Sequence, residues 1–364
     1  MVKQWLLAHK KLHLWLAAEL ALLGAFFLLR GNRALMNVWT TRVTTPVKRA
    51  LGGLCDRVPF SVMEVLILLL AAGLLVYLAV WTVRLLRSPN RGRTVYSGIL
   101  GLLCAGLTLY GGVCLLWGAN YQTDSFQEQS GLYARPATVE ELRQVTAYFA
   151  RHLSETAETV ARDEAGGFAV PRAEIFAGSN RLYDGMTAYP FLDFPDRRPK
   201  PVHFSKVMSA LNFTGVYCPF TGETNVNADS PACLLPATIA HELAHQRGIA
   251  SEQECNFIAI RAATTCGDPT AAYSGWLLGY IYLGNALYTA DVDAWREVAA
   301  GLPPSVRLDL QTNNDYWAQY EGVTARVSQK VYDGFLKGCG DELGVKSYGT
   351  VVDLLIAAKE EFAL

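Results

Sequence analysis

Two histidines flank a glutamate in His241-Glu-Leu-Ala-His245, within a run after Pro236 that reads as a helix. Residues four apart share one face of a helix, so both imidazoles can bind one Zn²⁺ ion. Glu242 then lies beside the coordination position left for water, where a carboxylate can act as general base. The spacing therefore predicts a zinc site with a hydrolytic function. With only 6 histidines among 364 residues, the pattern rarely arises by chance.

A catalytic zinc requires a third protein ligand, and Glu252 and Glu254 are the nearest downstream carboxylates. The metzincin spacing would place that ligand at position 251, where the chain has Ser251 instead. Ser251 and Glu254 match a capping box, which predicts that Ser251 caps a second helix and that Glu254 reaches back to it. Glu252 has no such structural role. It is therefore the predicted ligand.

Two further residues are expected to shape this site. Gly248 can end the first helix and form the tight turn before the second one. Asn256 follows Glu252 by one helical turn on the same face, so it could orient one of the two histidines. A solvated helix residue is the alternative for Asn256.

The string HELAHQRGIASEQECNFIA resembles the signature of the bacterial membrane-zincin family catalogued as domain of unknown function 3810. Members of that family also pair N-terminal membrane helices with such a domain, and the resemblance covers nearly the whole chain. More distantly, Glu252 to Asn256 is similar to the glutamate helix of HtpX-like, CAAX-prenyl-protease and ImmA/IrrE-like metallopeptidases. There the first glutamate binds zinc, which implies a gluzincin-like site with Glu252 as ligand. Cys255 replaces the usual alanine, and the link from His245 to Glu252 is shorter than in those relatives.

The segment 217–227, just upstream, also resembles that family's sequence before its HELAH helix. In zincins a strand at the edge of the cleft commonly pairs with an extended substrate, which makes this segment the predicted substrate strand. Its polar residues Glu223, Asn225 and Asn227 are then expected to line the cleft. A plain turn at Thr221-Gly222 with asparagine caps is the alternative.

Amide hydrolysis also needs a hydrogen-bond donor to the tetrahedral oxyanion, a contribution of about 3 kcal/mol. Five Tyr and His residues could supply this donor. Each of them is individually more typical of a core or surface residue, because buried Tyr and His usually satisfy local hydrogen bonds. The sequence does not choose among them. Two candidates lie upstream of the histidine pair and three downstream: His203, Tyr217, Tyr280, Tyr320 and Tyr348.

These residues belong to a segment of ordinary globular composition, residues 122–364. Thr138 and Glu141 form a capping box that predicts a helix running to Gly166-Gly167. Short β-like runs between 175 and 227 predict two or three strands, and helices resume at Pro236. The apolar segment 272–290 is interrupted by small and polar residues, which favours a buried core helix over a fourth membrane span. The predicted fold is a mainly α (α+β) zincin-like domain with a small β-sheet.

Residues 1–121 have a different composition and predict a membrane domain. Residues 1–117 contain 13 Lys and Arg against 3 acids, whereas the rest of the chain contains 19 against 30. Apolar stretches at about 12–29, 62–83 and 97–117 are long enough to cross the hydrocarbon core of a bilayer. The first could be a secretory signal, but it lacks a small-residue cleavage site, which favours an uncleaved anchor. Three transmembrane helices, and hence a multi-pass protein of the cell membrane, are predicted.

Orientation follows from the basic residues, which concentrate in cytoplasmic loops. The second loop is crowded with arginines, which predicts a cytoplasmic loop and an extracytoplasmic C-terminal domain. The first loop complicates this prediction, because it is also basic and would lie outside. The arginines of the second loop are Arg84, Arg87, Arg91 and Arg93, and the first loop carries Arg30, Arg33, Arg42, Lys48, Arg49 and Arg57.

Two acids lie in or beside the apolar stretches. Glu19 is a functional candidate because an ionisable residue inside a membrane span is costly, although it could simply face a neighbouring helix. Glu64 is expected at the membrane interface. Among the cysteines, none forms a C-x-x-C pair. A Cys218–Cys233 disulfide and small buried thiols remain alternatives.

Together these features predict a membrane-anchored, zinc-dependent metallopeptidase whose peptide or protein substrate lies near the membrane surface. The acidic domain lacks the clustered basic face that nucleic-acid binding requires. The alternative function is a non-catalytic, zinc-stabilised envelope assembly or sensor module. A transporter or channel would need polar groups deep in several spans, and only Glu19 offers one.

Overall fold

The structure is a computed structural model that describes residues 8–195, 197–339 and 348–359. The α-helices are α1 Lys10–Leu29, α2 Arg33–Trp39, α3 Thr45–Cys55, α4 Val62–Arg87, α5 Arg91–Leu116, α6 Phe126–Ser130, α7 Val139–Ala157, α8 Arg172–Gly178, α9 Ser205–Ala210, α10 Leu235–Gln246, α11 Glu252–Thr265, α12 Pro269–Ala290, α13 Val292–Ala300, α14 Pro304–Ala318, α15 Val323–Cys339 and α16 Tyr348–Ala357. The strands are β1 Lys200–Pro201, β2 Gly215–Cys218 and β3 Glu223–Val226. A π-helical segment, Thr40–Thr44, joins α2 to α3.

Within the described residues, three helices are long and apolar enough to cross a membrane: α1, α4 and α5. They coincide with the three predicted spans. Helices α4 and α5 extend past the apolar runs, because Arg84 and Arg87 lie in the last turn of α4 and Arg91 and Arg93 in the first turn of α5. In α1, Glu19 accepts hydrogen bonds from Trp15 and from Thr108 of α5. Glu19 therefore faces a neighbouring helix, which was one of the two interpretations of this residue.

The connection between α1 and α4 packs on the domain that follows the third apolar helix. Gly52 of α3 lies against Gly222, so closely that a β-carbon at Gly52 would lie 3.0 Å from the Gly222 carbonyl oxygen. Arg197 forms an ion pair with Asp56 at 3.6 Å. Glu64, in the first turn of α4, accepts backbone hydrogen bonds from His203 and Phe204 at 2.9 Å each. These contacts join the first loop and the start of α4 to the later domain.

A small sheet lies at the centre of that domain, with strand order β1-β3-β2. Strand β1 is parallel to β3, and β2 is antiparallel to β3 with Gly215 opposite Val226 and Cys218 opposite Glu223. Three strands between residues 175 and 227 confirm that part of the prediction. Strand β3 is central, so β1 and β2 are the edge strands, and β2 contacts α10 where Gly215 lies against Glu242.

Helices form the rest of the domain, with α7, α10, α11 and α12 around one hydrophobic core. Helix α12 is buried: Tyr273, Leu277 and Leu283 have no exposed surface. Its Gly279 admits the ring of Phe149 from α7, because a β-carbon at Gly279 would lie 2.2 Å from that ring. The 272–290 segment is therefore a core helix, as predicted. The mainly helical fold with a minor sheet is confirmed as well.

The predicted end of α7 is wrong, because the helix stops at Ala157 rather than at Gly166-Gly167. Its capping box at Thr138 is present as predicted. The Asp163 carboxylate accepts the N–H groups of Ala165 and Gly167, which stabilises a turn that competes with helix. An antiparallel bridge from Arg162 to Phe168 closes that turn.

All eight cysteines lie within the described residues, and each is a free thiol. Cys218 and Cys233 are both buried and are not joined, which selects the thiol alternative over the disulfide. Burial raises the pKa of the Cys233 thiol to about 12. Such thiols act as small apolar core residues.

Candidate metal centre

Helices α10 and α11 form a tight hairpin that carries the predicted ligands. Pro236 occupies the first turn of α10, where its missing N–H has no helical acceptor to lose. The helix ends before Gly248, whose φ of +100° suits glycine and few other residues. Ser251 then caps α11 by accepting the N–H of Glu254. The predicted turn and cap are both present.

His241, His245 and Glu252 converge on one point at the base of this hairpin, with one potential ligand atom from each within 4.8 Å of the others. The Nε2 atom of His241 lies 3.1 Å from one Glu252 oxygen, and Nε2 of His245 lies 3.4 Å from the other. Two ligands of a tetrahedral zinc are about 3.3 Å apart, given metal–ligand distances of about 2.0 Å. Two histidine nitrogens and a carboxylate oxygen this close together form a donor set that could hold a metal ion, and it is a set that Zn²⁺ accepts.

The remaining nitrogen of each imidazole is held by a neighbour. The Oδ1 atom of Asn256 lies 2.9 Å from Nδ1 of His241, and the Ile249 carbonyl oxygen lies 2.8 Å from Nδ1 of His245. These contacts leave both Nε2 atoms directed at Glu252. Asn256 occupies the orienting position expected for it, since metal-binding histidines usually bond a polar group through the other nitrogen.

Replacing Asn256 with alanine is expected to weaken zinc binding by about 10-fold to 100-fold, because the His241 ring loses the acceptor that orients it. Affinity is measured by competition with a chelating dye on the purified full-length protein. Asn256→Asp keeps an acceptor at this position and is expected to restore most of the affinity. Thr264→Ala, on the same helix but away from the cluster, is the control. An unchanged affinity in Asn256→Ala would contradict the orienting role.

Glu242 lies beside the cluster on α10 and is buried, with 4% of its surface exposed. Among the described residues, its Oε2 atom has no hydrogen-bond partner. Gly215 of β2 lies against the carboxylate, and a β-carbon there would be 2.5 Å from Oε1. Burial raises the pKa of the Glu242 carboxyl, although the neighbouring histidines oppose this. A carboxylate with a free oxygen and a raised pKa is suited to accept a proton.

The free edge of β2 runs along this carboxylate. The Thr214 carbonyl accepts the Asn227 N–H, so these two residues form a hydrogen-bonded pair of the antiparallel ladder. Hydrogen-bonded pairs alternate with pairs that are not bonded, so the backbone N–H and C=O groups of Gly215 and Tyr217 point away from β3. Tyr217 forms a backbone hydrogen bond with Glu242. Gly215 and Tyr217 both line the pocket beside the cluster.

A pocket of about 550 Å³ opens over the cluster. Its walls are formed by strand β2, by parts of helices α10, α11, α12, α14 and α15, and by the end of α5. Most of its wall is apolar, and the titratable groups gather at the metal cluster. This form, a concave apolar space with a few convergent polar groups, is typical of a ligand site. The wall next to α5 includes Val113, Trp117 and Phe220.

Of the five oxyanion candidates, Tyr217 lines this pocket. Its hydroxyl is buried and has no hydrogen-bond partner in the part of the chain that the structure describes. His203 is exposed on the surface, and neither its ring nor Tyr320 lines the pocket, so both predictions are wrong. Tyr280 is a core residue of α12 with 4% exposure, because its helix turns that side toward the core. The side chain of Tyr348 lies outside the described residues.

Glu223, Asn225 and Asn227 do not line the pocket, which corrects the prediction for them. They lie on or just after the central strand β3 and are buried. The Glu223 carboxylate accepts the N–H groups of Val62 and Met63 at the start of α4, at 3.1 and 2.9 Å. Asn225 accepts the Ser61 hydroxyl at 2.6 Å, and Asn227 donates to Ser209 at 2.8 Å. Their polar groups bind other elements of the protein, and β2 is the strand beside the pocket.

Glu254 also differs from its predicted role. Its carboxylate does not complete the capping box of α11 but accepts the N–H groups of Phe126 and Gln127, at 2.9 and 3.2 Å. Those groups form the first turn of α6, whose donors have no partner within the helix. The dipole of α6 also favours a carboxylate there. Glu254 has a structural role, as expected, but at another helix.

Tyr332, on α15, is a site residue that sequence reasoning missed. Its hydroxyl donates to Oε1 of Glu252, and burial together with that carboxylate raises the pKa of the phenol. Its position depends on how α15 packs over the α10–α11 hairpin, and no local spacing links it to the cluster. Trp117 is a second such residue, with its ring edge-on to His245 at 5.4 Å between centroids.

Lys48, on α3, is buried next to the site with 1% exposure and has no hydrogen-bond partner among the described residues. Its ammonium lies 5.6 Å from the ring of Trp117 and 5.8 Å from that of Tyr217. Such cation–π contacts compensate only part of the desolvation cost. Burial lowers the pKa of Lys48 to about 8.

Lys48→Met is expected to stabilise the protein at pH 7, because methionine carries no buried charge. The pKa of Lys48 is lower in the folded protein than in the unfolded chain. The free energy of unfolding of the wild type therefore rises between pH 8 and 10.5, and it is reduced below pH 8, where the buried lysine is charged. The shift corresponds to a cost of about 3 kcal/mol at neutral pH. Thermal unfolding at pH 7 and pH 9.5 measures it, with exposed Lys206→Met as control. A wild-type advantage over Lys48→Met at pH 7 would contradict this account.

The fold and the site define a mostly helical protein with three membrane-length helices and a His-His-Glu cluster in a pocket beside them. The chain belongs to the family described as Protein of unknown function (DUF3810), whose model matches residues 40–356. No curated protein and no solved structure matches the chain.

Proposed function

We propose that this protein is a membrane-anchored, zinc-dependent metallopeptidase of the zincin type. The observation that carries the proposal is the convergence of His241, His245 and Glu252 beside the unpaired carboxylate of Glu242. A purely structural zinc usually has four protein ligands and no need of an adjacent base. Here three ligands and a free carboxylate face a pocket of about 550 Å³. This favours catalysis over a non-catalytic zinc-stabilised assembly or sensor module.

The cluster provides the donors for one zinc, with His241, His245 and Glu252 as the residues that would hold it. Bound zinc supplies Lewis acidity, which makes water more acidic and polarises a carbonyl group. The Oε2 atom of Glu242 accepts the proton that water loses as it attacks the peptide carbonyl carbon. Glu242 then donates that proton to the leaving amine nitrogen, which completes hydrolysis of the peptide bond.

The other pocket residues position the substrate. The outward backbone groups of β2 can pair with an extended peptide, which places its carbonyl near Glu242. Tyr217 is the candidate donor to the oxyanion, because it lines the pocket and its buried hydroxyl has no hydrogen-bond partner among the described residues. Tyr332 holds the Glu252 carboxylate in place through its hydroxyl.

The proposal is tested on full-length protein purified in detergent, by measuring bound metal and cleavage of a randomised peptide library. One zinc per chain is expected, with cleavage that stops on chelation and returns when zinc is added. Absence of stoichiometric zinc would overturn the metal assignment. Bound zinc without cleavage of any peptide would favour the non-catalytic module instead.

We further propose that the protein crosses the cell membrane three times with its C-terminal domain outside the cytoplasm. The arginine-rich loop between α4 and α5 supports this orientation. The basic first loop counts against it, although Lys48 there is buried and Arg49 packs over the ring of Phe194 at 5.0 Å, whereas Arg33, Arg42 and Arg57 are exposed. Reporter fusions after Arg93 and after Leu364 are expected to be cytoplasmic and extracytoplasmic, respectively. A cytoplasmic reporter after Leu364 would overturn the orientation.

A further inference from the structure

The pocket over the metal cluster reaches the end of a membrane helix. Val113, in the apolar run of α5, lines the pocket together with Trp117 and Phe220. The ring of Phe220 packs on Gly112, where a β-carbon would lie 2.8 Å from it. The hairpin between β2 and β3 is therefore seated against α5 at the level of Val113.

The depth of this contact follows from the parallel packing of α1 and α5. In the residue pairs that join α1 to α5, a higher residue number in one helix goes with a higher number in the other, so the two helices run in the same direction. Val113 therefore lies level with the last turns of α1. The apolar run of α1 ends at Arg30, which the charge places at the hydrocarbon boundary. Val113 is level with a point between Leu22 and Phe26, so this wall of the pocket begins about 6–12 Å inside that boundary, at 1.5 Å of rise per residue. The contacting pairs are Trp15 with Thr108, Leu22 with Gly111, and Phe26 with Gly118.

An apolar groove of about 710 Å³ continues from the pocket along α15. Val323, Val327 and Val331 recur every fourth residue, so they share one face of the helix. They are strongly exposed, at 68%, 55% and 68%. Tyr332 and Phe335 line both the groove and the pocket. A contiguous exposed apolar surface of this kind, joined to a functional site, marks a place where a partner binds.

The far end of α15 lies at the same membrane boundary. Arg30, at the end of α1, donates to the Gly338 carbonyl at 3.3 Å, and Gln122 donates to the Cys339 carbonyl at 2.9 Å. Tyr332, which contacts Glu252, is seven residues before Cys339. At 1.5 Å of rise per residue, this places the metal cluster at most about 10 Å from the boundary along α15.

We propose that the substrates are proteins anchored in the bilayer by a single apolar span, cut in the segment that leaves the membrane. This inference rests on the proposed peptidase function and membrane placement, and it adds the substrate class. The segment enters past Trp117 and Phe335, lies along β2 at the cluster, and continues over the valines of α15. An extended chain covers about 3.3 Å per residue, so a distance of about 10 Å puts the cut about three residues from the span.

The test compares two libraries that carry the same randomised segment of about twelve residues, long enough in extended form to pass the cluster. One is fused to a leucine-alanine membrane helix in phosphatidylethanolamine–phosphatidylglycerol vesicles containing the full-length protein, and the other is soluble. Tethered segments are expected to be cut at least about tenfold faster, since tethering raises their effective concentration at the site. Mass spectrometry is expected to locate the cuts within six residues of the helix.

Each outcome separates the two proposals. Equal cleavage of both libraries, or cuts at positions unrelated to the membrane helix, would overturn the substrate class but leave the peptidase function intact. Cleavage of neither library would overturn the peptidase function and this inference with it.

The groove is tested with a Val327→Ser, Val331→Ser double variant, which removes its apolar surface without touching the metal cluster. Cleavage of the tethered library is expected to fall at least about tenfold, with zinc content unchanged. The matched control is the Arg326→Ser, Lys330→Ser double variant, because both residues are exposed neighbours on α15 that do not line the groove. Wild-type cleavage by the valine variant would overturn entry along α15.

Discussion

Glu242→Gln is expected to abolish peptide cleavage while the protein keeps its zinc. An amide of the same size fits the space beside Gly215 but cannot accept the proton of the attacking water. General bases contribute about 10²-fold to 10⁴-fold to enzymatic rates, so kcat/KM is expected to fall about 10³-fold. The measurement uses one peptide taken from the library cleavage, with zinc quantified on the same sample.

The same chemical change at a remote site provides the control for Glu242. Glu158 is an exposed glutamate after α7, so Glu158→Gln is expected to keep wild-type activity. Glu242→Asp retains a carboxylate but withdraws it by one methylene, and an activity between those of wild type and Glu242→Gln is expected. If Glu242→Gln retained more than about a tenth of the activity, the proton acceptor would have to be another group.

Glu252→Ala is expected to remove the zinc, whereas Glu254→Ala is expected to keep it. The Glu252 oxygens lie 3.1 and 3.4 Å from the Nε2 atoms of His241 and His245, so their loss leaves two donors. The affinity is expected to fall by more than about 100-fold, beyond the effect of losing a residue that only orients a ligand. Metal analysis after dialysis measures the outcome.

Glu254→Ala is the matched control, since it deletes the same side chain two residues away. It leaves the N–H groups of Phe126 and Gln127 without their acceptor, at a cost of about 1–3 kcal/mol. A lower unfolding temperature with full zinc content is therefore expected. Loss of zinc in Glu254→Ala, together with retention in Glu252→Ala, would reverse the ligand assignment.

The parts of the site that depend on local geometry were predictable from sequence. The i,i+4 spacing of His241 and His245, the cap at Ser251 and the turn at Gly248 are properties of short segments. They also bring Glu252 to the histidines, because the hairpin of α10 and α11 is tight. The membrane-length helices were predictable for a similar reason, since length and hydropathy alone define them.

Predictions that depended on distant packing were wrong or absent. The partner of Glu254 lies 128 residues away at Phe126, and a capping box was the only local use that the sequence showed for it. Asn225 lies between Thr224 and Val226 in a strand with polar residues at every second position, but β1 pairs with β3 and makes that strand central. Tyr332 reaches Glu252 across 80 residues of chain. Contacts of this kind arise only when helices and strands pack together.

The hydrogen bonds at the start of α4 have a mechanical consequence. Glu223 and Asn225 bind its first turn, and Thr224 between them donates to the Glu242 carbonyl at 3.4 Å. One short strand thus connects the second apolar helix to the helix that carries the proposed base. The sheet is a rigid spacer between the two. The start of α4 and helix α10 are therefore linked through the side chains of a single strand, without a flexible linker between them.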